Sequence, residues 1–144
     1  MISLETARKL KAAGLEWRPA LMDFFGIPDR QMDDKIFVIS DMLVTVELLQ
    51  GLQVVSFQGA SEWALDSLVT TEAVWMPREE QLRHALEAAL IASGRPEMRL
   101  VSGLGGVRVE CFIKDQAESF EAEDGGEAYA EALLAVMDRL VDRP

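Results

Sequence analysis

From Pro77 to Val141 the apolar residues first recur with the period of a helix, then alternate through three short segments, then return to the helical period. That order leaves few ways to fold. Each strand has one apolar face and each helix one apolar stripe, and both are buried only by laying the helices against a sheet. Pro77 suits the first turn of a helix, Glu79 and Glu80 suit its positive end, and Gly94 suits its C-terminal stop. Leu82, Ala85, Leu86, Ala89 and Leu90 then fall on one stripe. Strands are predicted over Met98–Ser102, Val107–Ile113 and Glu118–Ala122, joined by Gly103-Leu104-Gly105-Gly106 and by a turn over Lys114–Ala117. The last helix has Asp124 at its cap with Glu127 three residues later, and runs to about Val141. Its two stripes, Tyr129/Ala132/Leu133/Val136/Leu140 and Ala130/Leu134/Met137/Val141, mark it as the central packed helix.

Helix, three strands, helix is also the order of the double-stranded-RNA-binding domain. In that fold, basic side chains at the start of the last helix and in nearby loops hold phosphates. Here Asp115, Glu118, Glu121, Glu123, Asp124, Glu127, Glu131 and Asp138 are acidic, and no Lys or Arg lies between Asp115 and Asp138. Carboxylates gain nothing from phosphate, so nucleic acid is excluded as a partner. The net charge of −11 extends the argument to anionic membranes.

The N-terminal half is less regular. Ser3 caps a predicted helix over Leu4–Ala13, with Gly14 as its stop. Strand-like segments follow at Leu21–Phe25, Ile36–Ile39, Leu43–Leu49 and Leu52–Phe57. Gln50-Gly51 reads as a tight hairpin turn, although Met42–Leu52 also suits a short helix. Ser61 offers a cap for a short helix from Glu62 to about Val69. There is no internal repeat, low-complexity tract or linker. The expectation is a single α+β domain over residues 1–144, with antiparallel sheet and three or four helices. Sub-halves 1–76 and 77–144 would share a core.

A chain of 144 residues, 49% of them apolar, can bury a sizeable core. No apolar run is long enough to span a bilayer, and the first residues have a helical pattern rather than that of a signal peptide. A single cysteine rules out an internal disulfide and fits the cytoplasm.

No catalytic, cofactor or metal constellation emerges. His84 sits away from the Leu82 stripe, between Glu80 and Glu87, as a surface histidine does. Cys111 shares a strand face with Val107, Val109 and Ile113 and reads as core. The glycines at 103, 105 and 106 join two strands rather than a strand and a helix, so they suit a hairpin better than a phosphate loop. Asp23, Asp29, Asp33, Asp34 and Asp41 lack the spacing of a calcium loop. The candidate partner-binding residues are Glu118, Glu121, Glu123, Asp124, Glu127 and Glu131, an acidic face, with the aromatics Trp63 and Trp75.

Four stretches carry a wider resemblance: Phe25-Gly26-Ile27-Pro28-Asp29-Arg30 with Asp33-Asp34 and Phe37-Val38-Ile39-Ser40; Glu62-Trp63-Ala64-Leu65-Asp66; Trp75 to Arg83; and Glu127-Ala128-Tyr129. They resemble a family of small acidic bacterial proteins, some bearing an automatically assigned pilus-assembly label. The resemblance implies bacterial origin and brings no established activity or catalytic residue. The expected function is that of a non-enzymatic accessory or regulatory protein working through protein–protein contacts, with a protein partner or a homo-oligomer. An immunity or nucleic-acid-mimicking protein with an acidic face is the alternative, and a small carboxylate-dependent hydrolase the third.

Overall fold

The computed structural model of the protein describes residues 1–28, 35–40, 44–57, 67–69 and 72–141. In chain order the elements are α1 (Leu4–Ala12), β1 (Phe24–Gly26), β2 (Phe37–Val38), β3 (Val44–Leu49), β4 (Leu52–Phe57), β5 (Ser67–Val69), β6 (Val74–Trp75), α2 (Glu79–Ser93), β7 (Met98–Gly103), β8 (Gly106–Ile113), β9 (Gln116–Ala122) and α3 (Gly125–Val141). The architecture is α+β, and every strand pair among the described residues is antiparallel. Two compact units emerge, one made of Met1–Leu15 with Pro77–Pro144 and the other of Glu16–Met76. The first helix groups with the C-terminal elements.

Within Glu16–Met76 the strands form two three-stranded sheets, ordered β2-β1-β6 and β3-β4-β5. β1 is central because Phe25 pairs with Phe37 on one side and Trp75 on the other. Phe25, Ile27, Ile39 and Ala73 are buried together, with Trp17 and Phe37 packed against them. The Phe25 ring lies 5.7 Å from Trp17 and 5.5 Å from Phe37, between centroids. The strand expected over Leu21–Phe25 begins only at Phe24, because Met22 takes a left-handed φ of 70° in a turn and leaves Leu21 and Met22 exposed. Gln50 and Gly51 are both left-handed, at φ 53° and 79°, and close the β3–β4 hairpin with Leu49 opposite Leu52. The hairpin reading holds: Val44–Leu49 is a strand rather than part of a helix, and Met42 and Leu43 lie outside the described residues. A helix running to Val69 is also corrected: Ser67–Val69 is a strand whose main chain pairs with β4. Ser61 and Trp63 lie outside the described residues.

The other unit has the expected helix, strand, strand, strand, helix order, with a sheet ordered β7-β8-β9. Leu82, Leu86 and Leu90 on α2 are fully buried, as are Ala128, Ala132, Leu133 and Val136 on α3. α3 contacts α1, α2, β8 and β9, which makes it the central helix of the unit. Val109, Cys111 and Ile113 on β8 point into the same core. Gly94 ends α2 in the left-handed conformation, φ 91°. At the start of β8, Gly106 has φ 124°, and a Cβ there would lie 2.5 Å from the Ala122 carbonyl oxygen, so no larger residue fits. Lys114 and Asp115, both left-handed, form a two-residue turn, and β9 therefore begins at Gln116, two residues before the predicted Glu118. Among the described residues, no helix is long and apolar enough to cross a membrane.

Candidate functional site

β7 alternates Met98, Leu100 and Ser102 on one face with Arg99 and Val101 on the other. Its hairpin with β8 closes at Gly103 opposite Gly106, across the two-residue turn Leu104-Gly105. A pair that closes so short a turn exchanges its main-chain bonds, so Gly103, Val101 and Arg99 bond inward to β8. The N–H and C=O groups of Ser102, Leu100 and Met98 consequently point to the outer edge. Among the described residues that edge has no neighbouring strand.

The side-chain rows crossing the sheet follow from the register. On the helix-covered face Leu100, Val109 and Phe120 form one apolar row. On the outer face the charges are matched: Arg99 lies 3.7 Å from Glu110, and Arg108 lies 3.1 Å from Glu110 and 3.9 Å from Glu121. These exposed pairs add little stability. They do set the pattern of sign across the sheet.

α3 covers β8 and β9, but the cover thins toward β7. Leu100 is 43% exposed and Ile91, on the last turns of α2, is 65% exposed. Together with Met98 they line a trough of about 660 Å³, with Tyr129 of α3 also on its wall. Burial raises the Tyr129 phenol above its usual pKa, with Arg83 acting in the opposite sense. The rim is charged: Arg83 is held to Glu87 at 3.1 Å, and Glu97 closes the far side. Singly exposed leucines are ordinary; here Ile91, Met98 and Leu100 gather beside a strand edge that has no neighbouring strand among the described residues.

The acidic candidates do not share one free surface. Glu118 lies on the covered face of β9 and accepts two bonds from the Arg139 guanidinium, at 2.5 and 2.6 Å. Asp124 is the cap of α3, its Oδ1 accepting from the Glu127 N–H at 2.9 Å. The Glu127 carboxylate reaches α1, accepting from the Ser3 N–H at 2.7 Å and the Thr6 hydroxyl at 2.8 Å. Glu121, Glu123 and Glu131 are exposed. Trp75 is half-buried in β6, and its indole N–H has no hydrogen-bond partner among the described residues.

His84 is exposed, with Nε2 3.4 Å from the Arg83 guanidinium. Cys111 is buried, and burial raises its thiol pKa, with Glu118 adding to the shift and Arg139 opposing it. Asp23 is buried at 3% exposure, its Oδ2 accepting from the Trp17 indole at 3.0 Å and from the Ala20 N–H at 3.1 Å. It anchors a turn. Asp29, Asp33, Asp34 and Asp41 lie outside the described residues, and no group of three metal-ligating side chains exists among the described ones.

No family model, curated protein or solved structure matches the chain. The trough and the β7 edge were not singled out by the sequence. The only signal was a six-residue strand with one charged side chain and no proline, which is an unprotected edge if it lies outermost.

Proposed function

We propose that this is a non-enzymatic accessory or regulatory protein that acts through protein–protein contacts, and that its contact face is the β7 side of the unit formed by residues 1–15 and 77–144. The observation that carries this reading is the coincidence of Ile91, Met98 and Leu100 on one trough beside an unpaired strand edge. Main-chain groups there supply affinity to any strand laid alongside, and the apolar trough beside them selects its side chains. The acidic residues support a partner-binding role less well, because Glu118, Asp124 and Glu127 already hold Arg139, α3 and α1. In this reading the protein resides in the cytoplasm, where its buried thiol stays reduced.

The test is capture from an extract of the native host by the tagged wild-type chain and by two variants. Leu100→Lys is expected to lose the captured protein, and Glu123→Gln with Glu131→Gln to keep it. Loss in the second variant alone would move the contact to the acidic residues. Steady turnover of ester or phosphoester substrates by the purified chain would contradict the non-enzymatic reading.

A further inference from the structure

We infer that a second copy of this chain occupies the β7 edge, pairing β7 with β7 antiparallel about a two-fold axis at Leu100. The inference rests on the proposed contact face and names its occupant. Met98, Leu100 and Ser102 turn their N–H and C=O groups outward, and the alternation is symmetric about Leu100. Antiparallel pairing of like with like then sets Leu100 against Leu100 of the second copy and Met98 against Ser102, all with their bonding groups facing one another.

The register is selected by the side chains. Neighbours across an antiparallel pair share a face, so only registers that keep the helix-covered face continuous survive. With the axis at Leu100, the row Phe120, Val109, Leu100 runs on into Leu100, Val109 and Phe120 of the second copy without a polar break. Moving the axis to Val101 sets Leu100 against Ser102 and interrupts that row.

The outer face is compatible as well. At the Leu100 axis Arg99 lies opposite Val101 of the second copy, while its own strand neighbour Glu110 balances it on the other side. No like charges stand directly opposite, which would destabilise the pair. The two troughs meet along the joined edge, so that Ile91, Met98 and Leu100 are screened from water in both copies.

One force opposes association. Each chain carries a net charge of −11, and two such bodies repel at long range. The local contact is apolar and main-chain, so salt strengthens it by screening that repulsion. A strand of a basic partner bound at the same edge would be weakened by salt instead.

Sedimentation equilibrium from about 1 µM to about 500 µM chain is the first measurement, spanning weak to moderate affinities. A reversible dimer is expected, tighter at about 1 M than at about 0.1 M NaCl, as the screening length falls from roughly 10 to roughly 3 Å. Leu100→Lys should weaken it by about tenfold or more by placing a charge on the edge. Continued protection of Cys111 from thiol reagent shows that this variant is folded. The second measurement is mild oxidation of Leu100→Cys and Val101→Cys, each made in a chain that keeps the native Cys111. The first should give a disulfide-linked dimer, because paired Cα atoms of bonded neighbours lie about 5.5 Å apart. The second should not, its mates being displaced along the strand. A monomer throughout the range, or cross-linking at 101 in preference to 100, overturns the inference. If the chain stays monomeric while Leu100→Lys still abolishes capture from the extract, the contact face stands and only the self-pairing fails.

Discussion

Glu127→Ala is expected to destabilise the protein by about 1.5–3 kcal/mol, although the residue looks like part of an acidic surface. The Glu127 carboxylate accepts from the Ser3 N–H at 2.7 Å and from the Thr6 hydroxyl at 2.8 Å, so it ties the start of α1 to the start of α3. Ser3 is the cap of α1, and its Oγ already accepts from the Thr6 N–H at 3.1 Å. Each bond to a charged acceptor contributes about 1.5–3 kcal/mol where water is kept out. The Ser3 side is exposed and water can replace its bond, so the part-buried Thr6 bond supplies most of the effect. Urea melts of the wild type, Glu127→Ala, Thr6→Val and the double variant measure the loss and the coupling between the two residues. A coupling of about 0.5 kcal/mol or more is expected for groups in direct contact. Additive losses, or a Glu127→Ala variant within about 0.5 kcal/mol of wild type, would refute the bracket. Glu131→Ala, on the exposed side of α3, serves as the control and should stay within about 0.5 kcal/mol.

Leu86 and Leu133 are buried in the facing stripes of α2 and α3, so Leu→Ala at either should cost about 2–5 kcal/mol, against about 0.5 or less for His84→Ala, in the same melts. Cys111 should react with thiol reagent slowly in the native protein and fast in denaturant, because it is buried behind α3. Its raised thiol pKa means that above the ordinary value of 9.0 the unfolded chain loses the proton first. Stability should therefore fall as pH rises from there toward the folded-state value, and the fall should lessen in Cys111→Ala. No gel shift of duplex RNA or DNA is expected at physiological salt, since acidic Asp124 and Glu127 occupy the start of the last helix, where carboxylates repel phosphate.

The C-terminal half was legible because its signals are local. Gly94 stops α2, Asp124 caps α3, and the Leu82/Leu86/Leu90 stripe lies within a few turns. Cys111 followed from alternation within one strand. What failed depends on pairing across the chain. Val74–Trp75 is too short to announce itself and becomes a strand only by lying beside β1, and Ser67–Val69 does so beside β4. Glu118 was grouped with surface carboxylates because its partner, Arg139, lies just past the stretch from Asp115 to Asp138 that lacks basic residues. Leu100 resembles a core residue in any strand pattern. Its exposure follows from the order β7-β8-β9, which places it at an edge that α3 covers less than it covers β8 and β9.

Amide hydrogen exchange on the chain, free and then saturated with the protein it captures or concentrated on itself, tests the contact face most directly. Protection is expected to rise at Met98, Leu100 and Ser102, whose N–H groups point to the open edge, while residues 118–131 are unchanged. Protection gained across residues 118–131, with residues 98–103 exchanging as before, would contradict it.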